Sequence, residues 1–149
     1  YILFILWHIF TAVQNFFMKL RYKNVTVYAS NGKARNNVGS WKVENIHVNN
    51  SIKGFDFYKQ KDEAMAKNAD YGFMVWDGKS RGTLNNIINL INDDKKVVVY
   101  ISPFHKMLVI EKMSQLDNLI EHCPLSTKKT YRTLLSNNDI VNNIQLSLL

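Results

Sequence analysis

The chain predicts an α/β domain with a mainly parallel sheet, flanked by an N-terminal apolar helix and by C-terminal helices. Three observations carry this. Residues 71–76 (YGFMVW) set Tyr71, Phe73 and Val75 on one side of an extended chain and Gly72, Met74 and Trp76 on the other. Both sides are mostly apolar, as in a central strand covered on both faces. Residues 96–102 (KVVVYIS) are a second buried run of β-branched residues. Between them, Leu84, Ile87, Ile88 and Ile91 recur at helical spacing. Strand, helix and strand in succession describe a parallel pair joined by a crossover helix.

Composition bounds the rest. A chain of 149 residues, 46% of them hydrophobic, is long enough for one domain with its own core and too apolar for a disordered segment. The single Cys123 excludes an intramolecular disulfide and a cysteine-only metal site. It fits a reducing compartment and reads as apolar filler on a helix face. The net charge of +7 is uneven: Lys19, Arg21, Lys23, Lys33, Arg35 and Lys42 fall in a stretch without an acid. Such a run is either a solvated face or a contact for an anionic partner such as a nucleotide, a nucleic acid or anionic lipid.

Residues 1–17 carry no formal charge and are followed at once by basic residues. Three readings stand side by side. The segment is a membrane anchor at the short limit of span length, an apolar helix docked on the domain or a partner, or an extension upstream of a start at Met18. It lacks the basic start and small-residue cleavage site of a signal peptide. Residues 18–123 then form the α/β domain, and residues 124–149 a helical extension.

Residues 25–30 (VTVYAS) read as the first strand of the domain, ending in the turn signal Asn31-Gly32. With residues 71–76 and 97–101 they are expected to form neighbouring parallel strands. Residues 33–40 are a polar, basic loop, and residues 41–48 a strand or extended arm. His47 lacks metal partners at ligand spacing and reads as an ordinary surface or core histidine. Residues 54–68 read as a moderately amphipathic helix, and residues 106–111 as a further strand at the sheet edge. Ser114 and Asp117 suggest a capping box before Leu116, Leu119, Ile120 and Cys123. Pro124 ends that helix. Ser126 or Thr127 is expected to cap another, and Asp139 a last one carrying Ile140, Val141, Ile144 and Leu148.

Residues 69–83 (ADYGFMVWDGKSRGT) organise the chemistry. A strand stops at Asp77-Gly78, a small polar turn follows, and Gly82-Thr83 opens the helix. The first N–H groups of a helix have no internal partner, and its dipole adds positive charge there, so the arrangement binds anions. Candidate ligand-binding residues are Ser30, Asn31, Gly32 and Arg35 on one loop and Asp77, Gly78, Lys79, Ser80, Arg81, Gly82 and Thr83 on another. A third loop, residues 102–105, meets them at the carboxyl edge of a parallel sheet, where ligands bind in open α/β folds. Asp77 either orients a sugar hydroxyl or a water, which makes it the best candidate for a catalytic group, or accepts from backbone N–H groups of its own turn. Thr83 either caps the helix or touches a phosphate. Trp76 packs in the core or stacks on a base. Lys79 and Arg81 are solvated or compensate an anion.

The string MAKNADYGFMVWDGKSRGTLNNIINLINDDKKVVVY resembles the SLOG superfamily, in particular its YspA-like branch. The resemblance rests on Ala69, Asp70, Trp76, Asp77, Gly78, Ser80, Gly82 and Thr83, which match a core of the form A-D-x-x-x-x-x-W-D-G-x-S-x-G-T. It covers about residues 25–102. It implies a Rossmann-like three-layer domain with a nucleotide or nucleotide-derivative pocket. Related families include phosphoribohydrolases, a DNA-loading protein and sensors of cyclic nucleotide signals, and deoxyribosyltransferases share the broader fold. The hydrolases and transferases place a glutamate shortly after Gly-Thr. Here Leu84, Asn85, Asn86 and Ile87 follow Thr83, and the next acid is Asp93. A covalent or general-base carboxylate is therefore missing from that position.

The expected function is binding or sensing of a nucleotide-like small molecule, with no cofactor and no metal. An N-glycosidic bond hydrolase or transferase is the alternative. Single-stranded nucleic-acid binding through the basic segment, with Tyr22, Tyr28 and Trp41 interleaved, is a weaker one. The expected location is the cytoplasm, with a membrane contact only if residues 1–17 are an anchor. A homo-oligomer is compatible with all of these.

Overall fold

The computed structural model of the chain describes residues 2–5, 10–34 and 37–146, with the backbone alone described for 2–5, 10–13 and 138–146. In chain order run β1 (Ile2–Ile5), α1 (Phe10–Lys19), β2 (Thr26–Ser30), β3 (Lys42–Ile46), α2 (Phe55–Asn68), β4 (Tyr71–Trp76), α3 (Arg81–Asn92) and β5 (Lys96–Ile101). A single 3-10 turn (Ser102–Phe104), β6 (Lys106–Ile110), α4 (Met113–Glu121) and α5 (Leu125–Leu146) complete it. Among the described residues, no helix is long and apolar enough to cross a membrane.

The strands form two sheets. The larger has the order β1-β4-β5-β6, with β1, β4 and β5 parallel and β6 antiparallel at the edge. The smaller is the parallel pair β2–β3. The α/β class, the parallel β4–α3–β5 unit and the edge position of β6 are as the sequence predicts.

The place expected for residues 25–30 is not. They pair with β3 rather than with β4, and β1 takes the position beside β4. Composition distinguishes the two strands. β4 itself alternates, with Gly72, Met74 and Trp76 buried while Tyr71 is exposed and Phe73 and Val75 are half-buried, so the expected coverage of both faces is not met. All four residues of β1 are apolar, whereas β2 buries Val27 and Ala29 on one face and leaves Thr26 exposed and Tyr28 half-buried on the other. The expected N-terminal apolar helix is likewise corrected: within residues 1–17, residues 2–5 form a strand and the helix starts at Phe10. Branched and aromatic residues such as Ile2, Phe4 and Ile5 favour a pleated neighbour over an isolated helical turn. Residues 1 and 6–9 lie outside the described residues.

Helix α3 is the hub. It packs on β4 and β5, on α2, and on α4 and α5. Leu84, Ile87, Ile88 and Leu90 are fully buried, together with Met74, Trp76, Val97, Val99 and Ile101 from the sheet and Leu116 from α4. Contact between α3 and β4 depends on Gly72: a Cβ there would stand 2.4 Å from Leu90 Cδ1 and 3.2 Å from Val97 Cγ1. On its other side α3 meets α2, which buries only Asp62 and Ala66. Helix α2 in turn carries the β2–β3 pair, through Ser30 Oγ donating to Phe57 O (3.2 Å) and Asn68 Nδ2 donating to the Tyr28 hydroxyl (2.9 Å).

Three helix boundaries differ from expectation. Helix α4 is capped at Lys112, not at Ser114. Gln115 Oε1 accepts from the N–H groups of Glu111 (2.7 Å) and Lys112 (3.1 Å), so the glutamine three residues on supplies the capping oxygen. Asp117 instead accepts from the Tyr131 hydroxyl at 2.7 Å, tying α4 to α5. Thr127 lies inside the first turn of α5, which begins at Leu125 after Pro124. Asp139 starts no new helix, because neither proline nor glycine interrupts residues 125–146. The Ser136 hydroxyl donates back to Thr133 O (3.0 Å), which accommodates a polar residue in mid-helix. Leu148, assigned to that last helix, lies outside the described residues.

Two stability measurements test this packing. Gly72→Ala should lower unfolding free energy in urea by about 1–3 kcal/mol through overpacking against Leu90; an unchanged midpoint would mean that α3 and β4 are not in close contact. Burial, and then the bond to Asp117, push the Tyr131 hydroxyl above its ordinary value of 10.0. The folded chain keeps this proton when the unfolded chain loses it, so the contribution is full below pH 10 and falls away above it. Tyr131→Phe should flatten the alkaline loss of stability seen in melts between neutral and strongly basic pH.

Candidate functional site

The turn after β4 is built by its own residues. Asp77 Oδ1 accepts from the N–H groups of Lys79 (2.9 Å) and Ser80 (2.6 Å), closing an Asx turn. Gly78 has φ +73, a conformation that favours glycine, and is buried. Its carbonyl accepts from Thr127 Oγ1 at 2.6 Å, so the first turn of α5 holds the turn from below. A Cβ on Gly78 would face Pro103 at 3.7 Å, and Ser102 Oγ donates to Trp76 O at 3.2 Å. The residue 77–83 turn and the 102–105 loop are thus neighbours, as the sequence predicts.

Ser80 is the N-cap of α3 and offers no side-chain cap. Its carbonyl accepts from Leu84 N (3.1 Å) and from the indole N–H of Trp76 (3.2 Å). Trp76 is fully buried, so it is a core residue and not a stacking platform. Thr83 is inside the helix rather than at its cap. It is 3% exposed, and its hydroxyl donates to Ser80 Oγ at 3.2 Å. The backbone N–H groups of Arg81, Gly82 and Thr83 have no hydrogen-bond partner among the described residues. A Cβ on Gly82 would meet nothing within 4 Å, so that face of the first turn is open. The Arg81 guanidinium lies 4.0 Å from the centroid of the Phe55 ring, and the Lys79 ammonium has no carboxylate partner among the described residues.

The first loop splits by role. Ser30 is buried and its hydroxyl is used on Phe57 O. Asn31, at φ 51, accepts from Val48 N (2.8 Å) and donates to Val48 O (3.0 Å), so its amide holds the end of β3. Gly32 is exposed, and Arg35 lies outside the described residues. Near them Asn31, Lys33, Asn45, His47, Val48 and Asn50 line an open, polar cleft of about 400 Å³. No group of His, Cys, Asp and Glu suited to a metal occurs among the described residues. The Ser30 loop meets the first turn of α2 through Phe57, and that turn meets Arg81 through Phe55, so α2 stands between the two candidate loops.

Sequence reading passed over three asparagines. Asn85, Asn86 and Asn89 follow Gly82 at helical spacing on the polar side of α3. Asn85 is 1% exposed with neither amide end partnered; Asn86 Nδ2 reaches Asp62 Oδ2 at 3.4 Å while its oxygen has no partner, as has Asn89 Nδ2. Their spacing from Gly82 was the available signal. Burial also pushes the Cys123 thiol up, which keeps it protonated near neutral pH and unsuited to thiolate chemistry.

Thr127→Val should cost about 1–3 kcal/mol in urea unfolding, because it leaves the buried Gly78 carbonyl without its donor. A variant as stable as the parent would show that the turn does not depend on α5.

No family model, curated protein or solved structure matches the chain.

Proposed function

We propose that the chain binds a nucleotide or nucleotide-derived ligand, with its anionic group on the N-terminus of α3. One observation carries this: three consecutive N–H groups at Arg81, Gly82 and Thr83 are unpartnered and open to solvent at Gly82, beside two cationic side chains. Backbone donors at a helix N-terminus suit a phosphate, and the absent Gly82 side chain permits close approach. Asp77 contributes through Oδ1 to the turn; its second oxygen can accept from a ribose hydroxyl. Binding or sensing is favoured over N-glycosidic hydrolysis because Leu84, Asn85, Asn86 and Ile87 provide no carboxylate after Thr83. The strand, turn and helix from Ala69 to Thr83 support placing the unit with Rossmann-like SLOG domains, and a nucleotide ligand suits a cytoplasmic setting.

Calorimetric titration with inorganic phosphate, ADP and ADP-ribose tests it. The parent should bind a phosphate-bearing probe, and Gly82→Val should abolish that binding while melting like the parent. Asp77→Asn keeps a side-chain oxygen for the turn and should retain phosphate binding, but weaken a ribose-bearing probe by about 1–3 kcal/mol. Equal binding by Gly82→Val and the parent would put the anion elsewhere. Release of free base during the titration would favour the hydrolase. Oligonucleotide binding that falls steeply with salt would favour the basic segment instead.

A further inference from the structure

Strand β6 is the last strand of its sheet, and its outer edge pairs with no described strand. Its sequence is KMLVI, with Met107 61%, Leu108 38% and Val109 50% exposed, while Ile110 is buried. Three consecutive exposed apolar residues on an open edge are unusual for a monomer, where edges are protected by charges, proline or bulges. Lys106 is the one charge within the strand.

We infer that β6 pairs antiparallel with β6 of a second copy of this chain, joining the two four-stranded sheets into one across a twofold axis at Leu108. The edge is complementary to itself in that register. Leu108 faces Leu108 of the second copy, Met107 faces Val109, and Lys106 faces Ile110, so no like charges are opposed. Just beyond the strand, His105 stands opposite Glu111, whose carboxylate holds Lys96 of its own chain at 2.7 Å and has a further oxygen to accept from an imidazole N–H. Moving the register by two residues in one direction loses that match, and in the other opposes Lys106 with Lys112. The pairing continues the antiparallel geometry already present between β5 and β6. A twofold contact of this kind uses the same patch on both copies and closes on itself. An edge this short falls below the area of a standard stable interface, so the dimer should dissociate on dilution through the micromolar range.

Sedimentation velocity of the full chain tests this, independently of any ligand. A concentration-dependent dimer is expected. Leu108→Lys, which sets like charges directly opposite at the axis, should give a monomer with an unchanged melting temperature; Val109→Lys serves the same end should the first variant fold poorly. Under mild oxidation, either Leu108→Cys with itself or Met107→Cys mixed with Val109→Cys should form a disulfide-linked dimer, because adjacent cross-strand pairs alternate between narrow and wide. Met107→Cys alone should not. A chain monomeric at every concentration, a dimer that survives both lysine substitutions, or cross-linking of Met107→Cys with itself would overturn the proposal. A monomer that takes up an added strand peptide at this edge would overturn it too, in favour of peptide capture.

Discussion

Burial of α3 on nearly every side is the constraint on which the rest depends. Eight of its residues, from Thr83 to Ile91, are buried. A helix that serves as the common wall for a sheet, two C-terminal helices and α2 cannot shift without disturbing all of them. It therefore needs close contact with the sheet, which Gly72 allows, and a fixed starting point, which the Asp77 turn and Thr127 provide. The same rigidity sets the direction of the unpartnered N–H groups at its first turn.

The two sides of α3 differ in chemistry. Toward the sheet the contact is aliphatic and close. Toward α2 it includes Asn86, with Asp62 opposite, and Asn85 and Asn89 lie on the same polar side. A buried amide without a partner costs about 1–3 kcal/mol, so this side is less favourable per unit of contact than the sheet side. The β2–β3 pair rides on α2 and is also held to α1, where Gln14 Oε1 accepts from Val38 N at 3.0 Å. Helix α2 separates the Ser30 loop, whose polar groups hold local structure, from the Asp77 turn, whose backbone donors are left open.

Several residues that looked functional have structural duties. Trp76, Ser30 and Asn31 are each used by the fold, and Asp77 gives one oxygen to its turn. What remains available at the α3 terminus is mainly backbone N–H, with Lys79 and Arg81 beside it. Backbone donors of this kind suit recognition of charge and shape, which is the basis of the binding role proposed above.

From the sequence by itself came the α/β class, the parallel pair of residues 71–76 and 97–101 with its crossover helix, the edge strand at residues 106–111, and the turn and glycines of residues 77–83. Periodicity and turn chemistry are local, so they are written in adjacent residues. Which strand lies beside β4 was decided only in three dimensions. That place goes to β1, apolar throughout its four residues, and β2 finds its partner in β3. The same holds for Thr127 beneath Gly78 and for Phe55 under Arg81. Each joins residues whose pairing no local pattern encodes, and each exists because a buried polar group or ring needs a neighbour that only the assembled chain supplies.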